Sequence, residues 1–395
     1  MEHRKILILG AGYAGMAAAV QLQKHHVPFT LINKHNYHYF KTLLHEAAGG
    51  RRSLQTYAIA LDDILTKDTS HAVKDAVKSI DIAGKQVDTE HGTYTYDTLI
   101  IALGSQTAYF HVPGLKENSF VLNSLENAKQ IRTHIEETFL SYKTTPNPEA
   151  LRVVIGGAGL TGVELIGELA DYLPHFLASH DIPADDFELM LVHSRSEILP
   201  GVDERLRHLA ADKLQERGVR LVLNERIVSA GPQEIVLQSG ATLRAQTLIW
   251  TGGVEANPVL TQAGFTVDNR GRAKVNEFLQ SVDDPDVYIV GDNSLFTESS
   301  GESLPPTGQV AEQMGHHLSN NLLRQLRNEE PEPFVFHNRG MVASLGPKYG
   351  VAEVGHHTAK GLTALILKNG TKAKYLMHLG GPHVLFEKHQ QWIEI

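Results

Sequence analysis

Two clusters of glycines spaced G-x-G-x-x-G carry the clearest chemical meaning in this chain: Gly10, Gly12 and Gly15, and then Gly157, Gly159 and Gly162. In such a cluster the first glycine permits a tight turn. The second lets a pyrophosphate reach the backbone, and the third lets a helix pack closely on a strand. The phosphates then meet free N–H groups at the positive end of that helix. The pattern needs a strand before it and a helix after it. Short aliphatic runs, 6–9 and 153–155, precede the two clusters, and helical patterns follow both. Two dinucleotide sites are therefore predicted. Gly10, Gly12, Tyr13, Ala14 and Gly15 form the first, and Gly157, Gly159, Leu160, Thr161 and Gly162 the second.

The elements around the clusters are also repeated. "TLIIALGS" starts at Thr98 and "TLIWTGGV" at Thr247, 149 residues later (247 − 98), while the glycine clusters lie 147 apart (157 − 10). Leu103 and Gly104 close the first unit and Gly252 closes the second, and all three stand among the candidate cofactor-binding residues. Pro113-Gly114 marks the crossing between the units. A further buried-strand pattern, "DVYIVGDNS", returns the chain to the first unit and brings Asp292 toward its cofactor. A carboxylate there can accept from sugar or ribityl hydroxyls, or it can cap the next helix.

Composition narrows the chemistry. With 395 residues, 42% hydrophobic and 21% charged, the chain suits a folded protein of two or three domains. A net charge of −9 argues against general nucleic-acid binding. The absence of cysteine excludes disulfides, iron–sulfur clusters, Cys-ligated zinc and thiol catalysis. The His25-His26, His316-His317 and His356-His357 pairs lack zinc-site spacing, so no metal is expected and most of the 22 histidines read as surface residues. No signal peptide or spanning segment is visible.

The paired glycine motifs, "LIIALGS", "LIWTGGV" and "VYIVGD" resemble flavoproteins with two dinucleotide-binding domains. More narrowly, "GGAGLTGVELIGELAD", "SQTAYFHVPGLKENSFVL" and "PPTGQVAEQMG" resemble the type II NADH dehydrogenases, which are NADH:quinone oxidoreductases. The likeness runs from about Lys5 to Leu385. It implies non-covalent FAD in the first unit and NADH as a visiting substrate in the second. It also implies a menaquinone- or ubiquinone-type acceptor, a homodimer, and a peripheral membrane protein on the cytoplasmic face of the cell membrane. Disulfide reductases and sulfide:quinone oxidoreductases of the same superfamily need cysteines that this chain lacks. Hydride transfer then requires mainly that the two rings be stacked at near-attack distance.

The resemblance also assigns residues. It places Glu164 at the junction of nicotinamide and flavin; read alone, an acid in a first helical turn can simply complement the helix dipole. Gln309 and Gln313 share a helix face by their i, i+4 spacing. The resemblance puts them near flavin and quinone, where the family's A-Q-x-A-x-Q reads Gly308-Gln309-Val310-Ala311-Glu312-Gln313 here. Asn33 stands where an acid often meets the FAD ribose, Lys34 adds a charge near the phosphates or adenosine, and Tyr37 and Tyr39 are expected to pack near FAD. His193 stands where NADH-specific relatives place Glu, and Arg195 could pair with a phosphate. NADPH therefore stays open beside NADH.

From His356 to Phe386 there are four lysines, interleaved apolar residues and no acid. This segment reads as a membrane-contacting end, broken at Asn369-Gly370, with His378 and Gly380-Gly381 near a quinone entrance. It can equally pack on the FAD domain or across a dimer. The expected fold class is α/β, with two Rossmann-like dinucleotide-binding domains for FAD and NAD(P) plus a small C-terminal membrane-contacting region. Residues 1–113 and 266–330 form the split FAD domain, 114–265 the NAD(P) domain, and 331–395 the membrane-association or dimer region. The expected activity is non-proton-pumping NADH:quinone oxidoreduction. The alternatives are an NADPH-preferring quinone reductase, a soluble NAD(P)H-dependent flavin reductase, and a nucleotide-binding redox sensor.

Overall fold

The aliphatic run ahead of each glycine cluster becomes the central strand of a five-stranded parallel sheet in the computed structural model, which describes residues 4–393. Ile6–Leu9 lies between Phe29–Asn33 and Thr98–Ile101, with Ser70–Lys74 and Val287–Ile289 at the edges. All four of its residues are buried, as both faces of a parallel sheet require. In the second sheet Arg152–Gly156 lies between Glu188–Val192 and Thr247–Trp250, flanked by Val219–Val222 and Phe120–Val121. Each unit also carries a three-stranded antiparallel meander before its closing strand. The first is Val77–Asp81, Gln86–Thr89 and Thr93–Thr95; the second is Ile227–Ala230, Glu234–Leu237 and Thr242–Arg244.

The second unit is inserted between two neighbouring strands of the first. Val287–Ile289 pairs in parallel with Thr98–Ile101, although the whole second sheet lies between them in sequence. The outgoing and returning chains run side by side as Ser105–Thr107 and Val254–Ala256, an antiparallel pair that joins the units. The helix Gly308–Leu326 then packs on Tyr13–Lys24. A Cβ at Gly315 would fall 2.1 Å from the Ala14 carbonyl oxygen, so only glycine permits this approach.

Beyond it, Met341–Ser344, Gly350–Val354 and His357–Lys360 form a small antiparallel sheet, and Leu362–Ile393 follows as a helix with a sharp kink. The kink falls at Gly380-Gly381-Pro382 and not at Asn369-Gly370 as expected. Gly381 takes φ 68°, and Pro382 has no N–H to continue the ladder. Asn369 and Gly370 stay helical because their disfavour, about 1 kcal/mol for the glycine, is outweighed by the packed side of that helix. Ala364, Leu365, Leu376 and Leu379 are all buried there.

Candidate active site

Both glycine loops have the shape of a phosphate cradle. Gly10 and Gly157 open them at φ 101° and 107°. A Cβ on Gly15 would stand 1.9 Å from the Gly10 oxygen, and one on Gly162 1.9 Å from the Gly157 oxygen, so each third glycine is needed to bring helix onto loop. Around the middle glycines the space is open. Gly159 has nothing within 4 Å of an added Cβ, and Gly12 only the Ala102 oxygen at 4.0 Å. That open face, at the start of helices Tyr13–Lys24 and Leu160–Ser179, fits a pyrophosphate in both units.

The strand-end residue does the same structural task in each unit. Asn33 Oδ1 accepts from Ala11 N–H at 3.0 Å, and His193 Nδ1 accepts from Ala158 N–H at 3.2 Å. Lys34 and Arg195 stand exposed just beyond. On the FAD side, Leu103 and Gly104 lie at the strand end over Gly10, and Gly104 takes φ 70°. Asp292 Oδ2 accepts from Ser105 Oγ at 2.6 Å, with Lys41 Nζ 3.5 Å away and 3.0 Å from the same Ser105 oxygen. Tyr39 donates to the Asn123 carbonyl at 3.1 Å, and Tyr37 stacks on His35. In the second unit Leu160 and Thr161 are exposed at the helix start. Gly252 backs onto the loop, because a Cβ on Gly157 would stand 2.8 Å from Gly252 Cα.

Sequence reasoning missed two buried histidines. His38 donates through Nδ1 to the Ala11 carbonyl at 2.8 Å, so its Nε2 accepts the Tyr375 hydroxyl at 3.0 Å. Tyr13 packs edge-on to His38 and against Tyr375, and donates or accepts with Thr42 at 2.8 Å. The C-terminal helix is thereby tied to the first glycine loop. Burial pushes His38 down to about 4, so its ring is neutral at pH 7.

His45 belongs to a second buried knot, around Glu164. The Lys368 ammonium donates to Glu164 Oε1 at 2.6 Å, to Ser344 Oγ at 2.6 Å and to His45 Nε2 at 3.0 Å, using all three of its protons. His45 must then carry its proton on Nδ1, which faces Glu164 Oε2 at 3.4 Å. Ser344 N–H adds a bond to Glu164 Oε1 at 3.1 Å. Burial lowers His45 to about 3. Burial disfavours the Glu164 charge, but His45, Lys368 and the Ser344 amide together hold its carboxyl below the ordinary range. The acid expected to face nicotinamide thus has most of its acceptor capacity turned toward the C-terminal segment.

One helical turn further on lies a second ionic layer. Lys372 Nζ donates to Glu46 Oε1 at 2.7 Å, and Arg51 bridges Glu46 and Glu168. Two of the four C-terminal lysines are therefore spent inside the protein, and only Lys360 and Lys374 are exposed. Of the two readings of this segment, membrane contact and packing on the FAD domain, these two lysines serve the second. A signal did exist: Glu164 and Glu168, like Lys368 and Lys372, are i, i+4 charges set in apolar helices, and buried charges need partners.

Gln309 and Gln313 are also occupied. Gln309 Nε2 donates to the Gly340 carbonyl at 3.3 Å, and its Oε1 accepts from Arg339 N–H. Gln313 donates to the His337 carbonyl at 3.0 Å and accepts from His337 N–H at 3.1 Å. Both amides pin residues 337–340, each with its oxygen and one of its two N–H groups. His378 is exposed and 3.5 Å from Glu312.

Two dinucleotide folds, one inserted in the other and each with its glycine cradle, and no thiol define a flavoprotein of the two-dinucleotide-domain class. Residues 4–315 match the pyridine nucleotide-disulphide oxidoreductase family. The chain is 32% identical to the type II NADH:quinone oxidoreductases of Staphylococcus epidermidis and Staphylococcus aureus, over 98% of this chain and of each relative. The chain belongs to the type II NADH:quinone oxidoreductases. The fold agrees. NDH2 from Plasmodium falciparum in complex with NADH superposes with a TM-score of 0.87 at 19% identity, covering 100% of this chain and 98% of that one. The sulfide:quinone oxidoreductase of Aquifex aeolicus does so with a TM-score of 0.78 at 20% identity, covering 99% and 96%.

Proposed function

We propose that this chain oxidises NADH and reduces a quinone held at a membrane surface, without translocating protons. The observation that carries the site assignment is the knot of Glu164, Lys368, His45 and Ser344. It joins the helix of the second glycine loop to the first domain and to the C-terminal helix.

Gly10, Gly12, Tyr13, Ala14, Gly15, Asn33, Leu103, Gly104 and Asp292 would hold FAD, which when bound supplies a ring that accepts hydride and passes on two electrons. Gly157, Gly159, Leu160, Thr161, Gly162 and Gly252 would hold NADH. Reduction of a quinone to a quinol by NADH takes up one proton from solution. Lys368 Nζ, bonded to Glu164 Oε1, Ser344 Oγ and His45 Nε2, would be the buried donor for that proton. His45, neutral, fixes the direction of both. Gln309 and Gln313 act by holding residues 337–340 in place, and these lead directly into the strand that carries Ser344.

The membrane assignment rests on the other side of the C-terminal helix. Leu362, Ile366 and Met377 are 69%, 62% and 45% exposed on one helical stripe, and Phe386 beyond the kink is 70% exposed. Among the described residues no helix is long and apolar enough to cross a membrane. Insertion of this stripe at the interface would bring the chain to a lipid-borne acceptor. The family resemblance adds a homodimer on the cytoplasmic face, which sedimentation and protease access in oriented vesicles test. The activity itself is tested by NADH oxidation with a soluble quinone analogue. An acceptor-dependent rate is expected, and its absence would favour a redox sensor.

A further inference from the structure

The strand-end residue of a dinucleotide fold has two duties. It accepts the N–H of the residue between the first two glycines, and it sets the charge that the adenosine ribose 2′ position meets. An acid does both, accepting from the 2′-hydroxyl and repelling a 2′-phosphate. In this chain the two duties are separated. His193 takes the first through its Nδ1 lone pair, which accepts from Ala158 N–H at 3.2 Å, just as Asn33 does for Ala11 in the other unit. That bond leaves the ring only a donor, Nε2–H, which is buried and has no partner among the described residues. An imidazole carries no negative charge, and burial and the neighbouring Arg195 guanidinium push the ring's titration down, favouring its neutral form.

The nearby acids do not restore one. Glu197 is committed to Arg207 at 2.8 Å and His208 at 3.4 Å. Glu225, whose N–H donates to the His193 carbonyl, turns its carboxylate to Ser239 N–H at 3.3 Å. Arg195 is exposed two residues past His193, and no ion-pair partner for it stands among the described residues.

We propose that this site accepts a 2′-phosphorylated nicotinamide nucleotide: His193 supplies the structural bond without the repelling charge, and Arg195 binds the 2′-phosphate. This deepens the functional reading and rests on the second glycine loop being the nicotinamide nucleotide site. It makes the chain a user of NADPH as well as NADH.

The test is binding of 2′,5′-ADP against 5′-ADP to the FAD-loaded protein by calorimetry, followed by kcat/KM for NADPH and NADH with one quinone analogue. One charge-assisted bidentate contact to phosphate should make 2′,5′-ADP the tighter ligand by about tenfold or more. NADPH should then be used with kcat/KM within about tenfold of NADH. Arg195→Ala should remove the 2′,5′-ADP advantage. His193→Glu should reverse it and lower the NADPH:NADH ratio by roughly a hundredfold. If 5′-ADP binds and 2′,5′-ADP binds no better, with NADPH turned over less than about a hundredth as well as NADH, the proposal is overturned while the oxidoreductase reading stands. If neither mononucleotide binds and NADH is not oxidised, both fall.

Discussion

Replacing Lys368 by Met removes the only ammonium that touches Glu164 among the described residues. At 2.6 Å the attraction is about 6 kcal/mol for an effective dielectric near 20, and desolvation of the two ions cancels part of it. Breaking one side of such a buried pair costs about 3–5 kcal/mol. Glu164 has an escape, because it can take a proton. From an ordinary carboxyl value of 4.5, neutralising it at pH 7 costs about 3 kcal/mol, which caps the loss. The loss therefore carries a pH signature. In the variant the folded-state Glu164 titrates above its unfolded value, so the folded protein binds the extra proton. Its stability rises as pH falls, by about 1.4 kcal/mol per pH unit down to about 4.5. In the native chain Glu164 titrates below its unfolded value, and its contribution is constant over this window. Urea unfolding with saturating FAD, followed by circular dichroism at pH 5, 6 and 7, reads both. Lys368→Met should lose about 3 kcal/mol at pH 7 and well under 1 at pH 5, relative to the native chain. Adding Glu164→Gln should recover most of the pH 7 loss. A loss below about 1 kcal/mol at pH 7 with no pH dependence would refute the buried-pair reasoning.

His38 and His45 are both nearly inaccessible and neutral, with folded values near 4 and 3 against 6.5 unfolded. Their stabilising contribution is complete above pH 6.5 and is lost as pH falls, about 2 kcal/mol each by pH 5, so the His38→Gln, His45→Gln chain should show a shallower acid destabilisation in denaturant titrations. Gly159→Ala should leave the nucleotide-free melting temperature nearly unchanged, because its Cβ meets open space, yet weaken NADH binding; equal affinity would mean that the pyrophosphate does not pass there. Gly162→Ala forces a Cβ to 1.9 Å from the Gly157 oxygen and should lower the melting temperature of the apoprotein itself. Ile366→Glu with Met377→Glu removes two exposed apolar side chains, each contributing about 1.5–3 kcal/mol if buried in lipid, and should reduce vesicle binding by at least a hundredfold without changing NADH oxidation by a soluble quinone. Unchanged co-sedimentation with vesicles would remove the membrane assignment of this stripe.

The two glycine cradles were legible in the sequence because every part of the signal is local. An aliphatic strand, a turn that only glycine allows and the helix that closes on it lie within about twenty residues, and each is set by backbone sterics. The duplicated closing strands were legible for the same reason, as was the exclusion of thiol chemistry. Tertiary packing alone decided which charges meet. Glu164 and Lys368 are 204 residues apart, His45 and Lys368 323, and His38 and Tyr375 337. Composition could say that the C-terminal segment is basic and apolar, but not which side of its helix is buried. Packing turned Lys368 and Lys372 inward to neutralise buried carboxylates, leaving Leu362, Ile366 and Met377 outside, opposite to what the residue types suggest. It likewise committed both amides of Gln309 and Gln313 to the backbone of residues 337–340. A local motif fixes its own geometry, whereas a buried ion takes whichever partner the fold delivers, because leaving it unpaired costs more than any local preference can recover.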